Sequence, residues 1–168
     1  LQRLGPVRAA RAEAAWLADD REATVAEARA AWDLAVRHRH PWHTGELAFW
    51  RGRGGDRVRL PPWTARPFAL QIDGDWRRAA AAWQRLGCPY EAALALVDSD
   101  GEAALRQALR ILDDLGAPAT ARVTRQKMRS LGFRSIPSGA REATRTHPLG
   151  LTRREHEVLD LICRGHTN

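Results

Sequence analysis

Apolar residues recur every three or four positions along most of this chain, separated by polar residues and by short breaks rich in glycine or proline. That spacing is the period of a helix with one buried face. Val7, Ala10, Ala14 and Leu17 form a first stripe, ending near Asp19-Asp20. Val25, Ala28, Trp32 and Ala35 form a second, which stops before His40-Pro41 because a residue preceding proline is pushed out of the α region. A third helix is predicted from Pro41 to Arg51, carrying Leu47 and Trp50, before the break at Gly52-Arg53-Gly54-Gly55. Val58 to Pro62 reads as an extended connector.

The second half repeats the theme. Pro67 to Ile72 is a short helix, and Trp76, Ala79, Ala80, Trp83 and Leu86 form the stripe of the next, closed by Gly87. Pro89 opens a helix at its first position, with Tyr90, Ala93, Leu94 and Val97 facing inward. Leu105, Ala108, Leu112 and Leu115 mark another, ended by Gly116 and Pro118, and the last of the series runs from about Ala119 to Leu131. No strand-like alternation competes with this pattern. The predicted fold is all-α, built from antiparallel helical hairpins. Small alanines beside bulky tryptophans resemble tetratricopeptide repeats, where alanine permits close helix approach and an aromatic fills the gap between hairpins. The spacing does not hold at a regular 34 residues, so the array is a degenerate one.

Three segments follow from composition: a helical-repeat region over 1–133, a flexible linker over 134–150, and a C-terminal segment over 151–168. Ser135, Pro137, Ser138, Gly139, Pro148 and Gly150 break any helical pattern in the linker. Beyond it, Thr152 and Glu155 have the spacing of a capping box. Leu151, Val158, Leu159 and Ile162 form one apolar stripe, Arg164 suits the dipole at the helix end, and Gly165 supplies a left-handed stop. Thr167 or Asn168 is a ready cap for a second helix. Helix, tight glycine turn and new cap are the layout of a helix-turn-helix.

The series Leu151-Thr152-x-Arg154-Glu155-x-Glu157-Val158-Leu159-x-Leu161-Ile162-x-x-Gly165-x-Thr167-Asn168 resembles the start of the LuxR-type helix-turn-helix of bacterial regulators. Cys163 departs from the alanine usual there. Sigma factors begin a similar motif, but usually with one more residue than Ile162-Cys163-Arg164 before the turn glycine. Trp16-Leu17-Ala18, His40-Pro41-Trp42-x-x-Gly45-Glu46-Leu47-Ala48-Phe49-Trp50, Pro67-Phe68-Ala69-Leu70-Gln71 and Leu86-Gly87-Cys88-Pro89-Tyr90-Glu91-Ala92-Ala93-Leu94-Ala95 extend the likeness. They are similar to the C-terminal region of the large ATP-binding LuxR-type regulators of actinobacteria. The resemblance implies transcription regulation, with double-stranded DNA bound by a complete domain and the helical array coupling or holding a protein partner. Thr167 and Asn168 would approach DNA, since a helix N-terminus favours phosphate. Val158, Leu159 and Ile162 would be core. ATP, if bound, would belong to a longer parent, because no Gly-x-x-x-x-Gly-Lys-Ser/Thr occurs and no cofactor is expected in this piece.

Charge adds one feature. The formal net charge is +7 over 168 residues, and no acidic residue lies between Asp114 and Glu142. Arg122, Arg125, Lys127, Arg129, Arg134 and Arg141 fall in that interval and offer sequence-independent phosphate attraction, or simply a solvated face. Arg51, Arg53, Arg57 and Arg59 read as a solvated glycine-rich loop. A chain starting at Leu1 is expected to be a piece of something longer. No apolar run approaches a membrane span, no signal peptide is evident, and two cysteines fit no disulfide framework, so a cytoplasmic location is expected. His38, His40 and His43 straddle a helix end and lack a fourth ligand, so no metal is expected. The serines show no nucleophile elbow, and Asp98, Asp100, Asp113 and Asp114 read as solvated or capping residues, so no enzyme activity is expected. Most of the seven tryptophans are expected in the core, with Trp63 partly exposed. The alternative function is a helical interaction scaffold that binds no DNA.

Overall fold

A computed structural model describes residues 3–138, 158–160 and 163. The chain divides into two compact units, residues 1–136 and 137–168. The first is all-helical: α1 (Leu4–Leu17), α2 (Arg21–Arg37), α3 (Pro41–Arg53), α4 (Arg66–Ile72), α5 (Trp76–Arg85), α6 (Pro89–Val97), α7 (Glu102–Asp114) and α8 (Pro118–Ser130). Of the proposed linker, residues 134–138 are irregular and the rest lies outside the described residues. In the second unit, residues 158–160 and 163 are helical, and Val158 and Leu159 are exposed.

Local chemistry places the helix ends. Asp20 and Asp75 accept the backbone N–H groups of Ala23 and Arg78, at 2.9 and 3.1 Å, capping α2 and α5. Prolines open α3, α6 and α8, where no backbone donor is missed. Gly87 and Gly116 stop α5 and α7 with φ of 70° and 66°, a conformation that costs a residue with a Cβ.

Consecutive helices pack as hairpins, α1 also lies against α3, and α8 returns to touch α1. The array therefore closes on itself. Ala92 through Val97 of α6 are all buried, in one core cluster with Leu47, Leu105, Leu109, Leu112 and Met128. Small residues set the closest approaches. A Cβ on Gly45 would lie 2.6 Å from the Phe68 ring, and one on Gly5 would lie 2.9 Å from His43.

The expected face of α1 is wrong. Gly5, Ala9 and Ala12 are buried, whereas Val7 is 53% exposed and Ala10 and Ala14 face solvent. The packed side is the one smooth enough for α2 and α3 to approach, and side-chain size overrides hydrophobicity there. Leu86 and Leu115 also fall off their expected stripes and are exposed. Each is the residue between the end of its helix and the glycine stop, where the chain already turns away.

Candidate functional site

The basic stretch separates into two groups. Arg125 donates to both carboxylate oxygens of Asp113, at 2.8 and 2.6 Å. Lys127 donates to the Val97 carbonyl at 2.9 Å and pairs with Asp100 at 3.0 Å. Arg122 donates to the Leu17 carbonyl at 2.7 Å, tying α8 to α1. These three side chains hold the array together, while Arg129 and Arg134 stay exposed. Arg141, Thr167 and Asn168 lie outside the described residues. The aspartates are likewise not merely solvated caps. Asp113 is half of a two-point ion pair, and Asp98 sits in a polar core.

That core is built around Arg53. Arg51 and Arg53 lie in the last turn of α3, not in a loop, because the helix continues to Gly54. Arg51 pairs with Asp56 at 2.7 Å and covers the half-buried Trp32 ring, 5.0 Å from its centre. The Arg53 guanidinium lies over the rings of both Trp16 and Phe49, 5.0 and 4.9 Å from their centres, contacts that suit a flat cation. Its Nη2 pairs with Asp98 at 2.7 Å and donates to the Leu94 carbonyl at 3.3 Å. Asp98 accepts Gln71 Nε2 at 2.8 Å, and Gln71 Oε1 accepts the Trp83 indole N–H at 3.3 Å. One polar chain thus joins α3, the end of α6, α4 and α5. Burial lowers the Arg53 pKa, against the pull of Asp98, and burial raises that of Asp98, against the pull of Arg53. Beside this core opens a cleft of about 170 Å³, lined by the apolar Phe49, Val58 and Ile72 and by the polar Arg53, Arg57, Gln71 and Asp98.

A second polar cluster joins the two ends of the array. The Tyr90 hydroxyl on α6 bonds Glu13 on α1 and sits 2.8 Å from Thr120 Oγ1 on α8. Burial raises the Tyr90 pKa, and Glu13 adds to the rise. Burial pushes Glu46 up to about 7, helped by repulsion from Glu91 and Glu13. Burial and the neighbouring His40 push His43 down. His40 and His43 stack at 4.1 Å, and His40 Nδ1 accepts the His43 N–H at 3.2 Å, so these residues cap and pack the start of α3. Among the described residues, no three His, Cys, Asp or Glu side chains are grouped to hold a metal ion. Burial raises the Cys88 thiol pKa, opposite to the shift that activates a thiolate.

Among the tryptophans, Trp83 is 3% exposed and Trp50 is also buried. Trp63 is half-buried, and Trp42 is 44% exposed although its ring edges onto Phe68 and Trp83. None of the described helices is long and apolar enough to cross a membrane. Compared with protein-family models, with curated proteins and with solved structures, the chain matches none.

Sequence reasoning missed the Arg53 core. The only available signal was Arg51-x-Arg53 at the end of an aromatic helix face, and a glycine-rich sequence masked it.

Proposed function

We propose that this chain is part of a bacterial LuxR-type transcriptional regulator, in which residues 151–168 open the DNA-binding domain and the helical array is its coupling region. The observation that carries this reading is the eighteen-residue series from Leu151 to Asn168, with its capping box, apolar stripe, three-residue gap and turn glycine. In a domain of this kind a following helix enters the major groove, and the opening helix supports it. Thr167 and Asn168 would lie nearest the phosphates. Exposed Arg129 and Arg134, with Arg141, would add attraction that ignores sequence. Arg122, Arg125 and Lys127 contribute less, being engaged within the array. The tetratricopeptide-like character of the hairpins and a cytoplasmic location belong to this same reading.

The test is a pair of titrations on specific and random duplexes at two salt concentrations. Residues 1–168 should bind both duplexes alike, with affinity that falls steeply as salt rises. Extending the chain past Asn168, so that the helix-turn-helix opened by residues 151–168 is completed, should create a preference for one duplex, because base contacts specify where phosphate contacts only position. Sequence-specific binding by residues 1–168 refutes the division of labour. No gain of DNA affinity on extension refutes the regulator itself and leaves the interaction scaffold.

A further inference from the structure

The cleft beside Arg53 brings unused hydrogen-bond donors and apolar side chains together. The Arg53 guanidinium uses Nη2 for Asp98 and Leu94, while Nε and Nη1 donate to no acceptor among the described residues. Contacts with the rings of Trp16 and Phe49, with Asp98 and with the Leu94 carbonyl restrain the group before anything binds. Arg57, on the same cleft, is exposed and makes no ion pair among the described residues. Asp98 neutralises one guanidinium, and its contact with Gln71 is already made. One positive charge is left over in a cleft that Phe49, Val58 and Ile72 also line.

We propose that this cleft binds a small monocarboxylate with a branched apolar body, its carboxylate on Arg53 and Arg57 and its alkyl end against Val58 and Ile72. The charge count favours one negative charge. Planar, forked donors match a carboxylate, and an aliphatic wall rejects a fully polar anion. The volume of about 170 Å³ lies below the ~300–1,000 Å³ of pockets for drug-sized ligands, which limits the body to roughly four to six carbons. Two sources share this chemistry: a free branched-chain acid, and the C-terminal carboxylate of a peptide ending in an aliphatic residue. No residue of the 151–168 segment enters this assignment, so it stands or falls separately from the DNA reading.

The experiment is titration of the intact chain, followed by calorimetry and ligand-observed NMR, with isovalerate against isovaleramide. N-acetyl-Ala-Leu with a free carboxylate, against its amide, forms the second arm. Each acid that enters the cleft should bind about tenfold or more tightly than its amide, the loss expected for a charged hydrogen-bonded pair. Two variants locate the binding. Arg57→Gln removes an exposed side chain with no structural partner, and should weaken the acid about tenfold while leaving the amide unchanged. Gly52→Leu places a side chain at the cleft, where a Cβ meets nothing within 4 Å, and should abolish binding without unfolding the chain. Binding of isovalerate alone assigns the free acid, and tighter binding of the peptide acid assigns a chain terminus. Equal binding of acid and amide overturns the proposal. So does binding untouched by both variants, or no binding by the folded chain at acid concentrations up to roughly 10 mM.

Discussion

Replacing Trp83 by alanine removes the side chain on which three helices meet. Trp83 is 3% exposed, and its ring packs edge-on to Phe68 at 4.8 Å and against Trp42 at 5.9 Å. Truncating a buried tryptophan costs ~3–5 kcal/mol through lost transfer energy and the cavity left behind. Gln71 Oε1 also loses its indole donor inside the core, worth about 1–3 kcal/mol if no water replaces it. The sum is roughly 4–8 kcal/mol, a large share of the ~5–15 kcal/mol of a typical domain. At about 4 °C per kcal/mol for a unit of this size, the melting temperature should fall by roughly 15–30 °C. Urea and thermal denaturation followed by circular dichroism measure both quantities. Trp83→Phe keeps a ring on Phe68 but loses the N–H, and should cost about 1–2 kcal/mol. Trp42→Ala, at a residue 44% exposed, should also cost only about 1–2 kcal/mol. A Trp83→Ala variant within ~1 kcal/mol of the parent would refute the packing described here.

Two glycines two residues apart should respond in opposite directions to alanine. Gly52→Ala meets open space at the end of α3 and should stabilise by about 0.5–1 kcal/mol, whereas Gly54→Ala places its Cβ 2.4 Å from Val25 and 2.9 Å from the Arg21 carbonyl and should destabilise. Chemical denaturation of both variants checks the sign. Glu46 holds its proton to about pH 7 in the fold but only to about 4.5 when unfolded. The native state therefore binds more protons across that window, and this residue's contribution makes stability fall as pH rises through it. Glu46→Gln should match the parent below pH 4.5 and melt at a higher temperature near pH 8, and a difference that does not change with pH would contradict the shift. Asp98→Ala leaves Arg53 buried without its carboxylate and should cost ~3–5 kcal/mol, while Arg53→Met with Asp98→Leu should recover much of that loss. A double-mutant cycle by urea denaturation measures the coupling.

How much of this protein was legible in its sequence depended on which side chain carried the signal. Period, proline and glycine are local, so the existence and order of the helices could be read directly. Pro41, Pro89 and Pro118 start helices and Gly87 and Gly116 end them for reasons contained within one turn of chain. Trp83 was expected inside because a large ring on an apolar stripe has few other places to go. The face of α1 could not be read, because Gly5, Ala9 and Ala12 carry little hydrophobic signal and are buried only by what approaches them. The same holds for Arg53. By residue type it belongs in water, and only the meeting of Trp16, Phe49, Leu94 and Asp98 from three parts of the chain gives a buried cation its partners. The contact of α8 with α1, made through Arg122 and the Leu17 carbonyl across 105 residues, is of this kind too. The sequence by itself determined the helices and the resemblance of residues 151–168, since both are written in short-range spacing. The tertiary structure alone decided which small residues are covered, which basic side chains remain free, and where a cleft opens, since these depend on residues far apart in sequence.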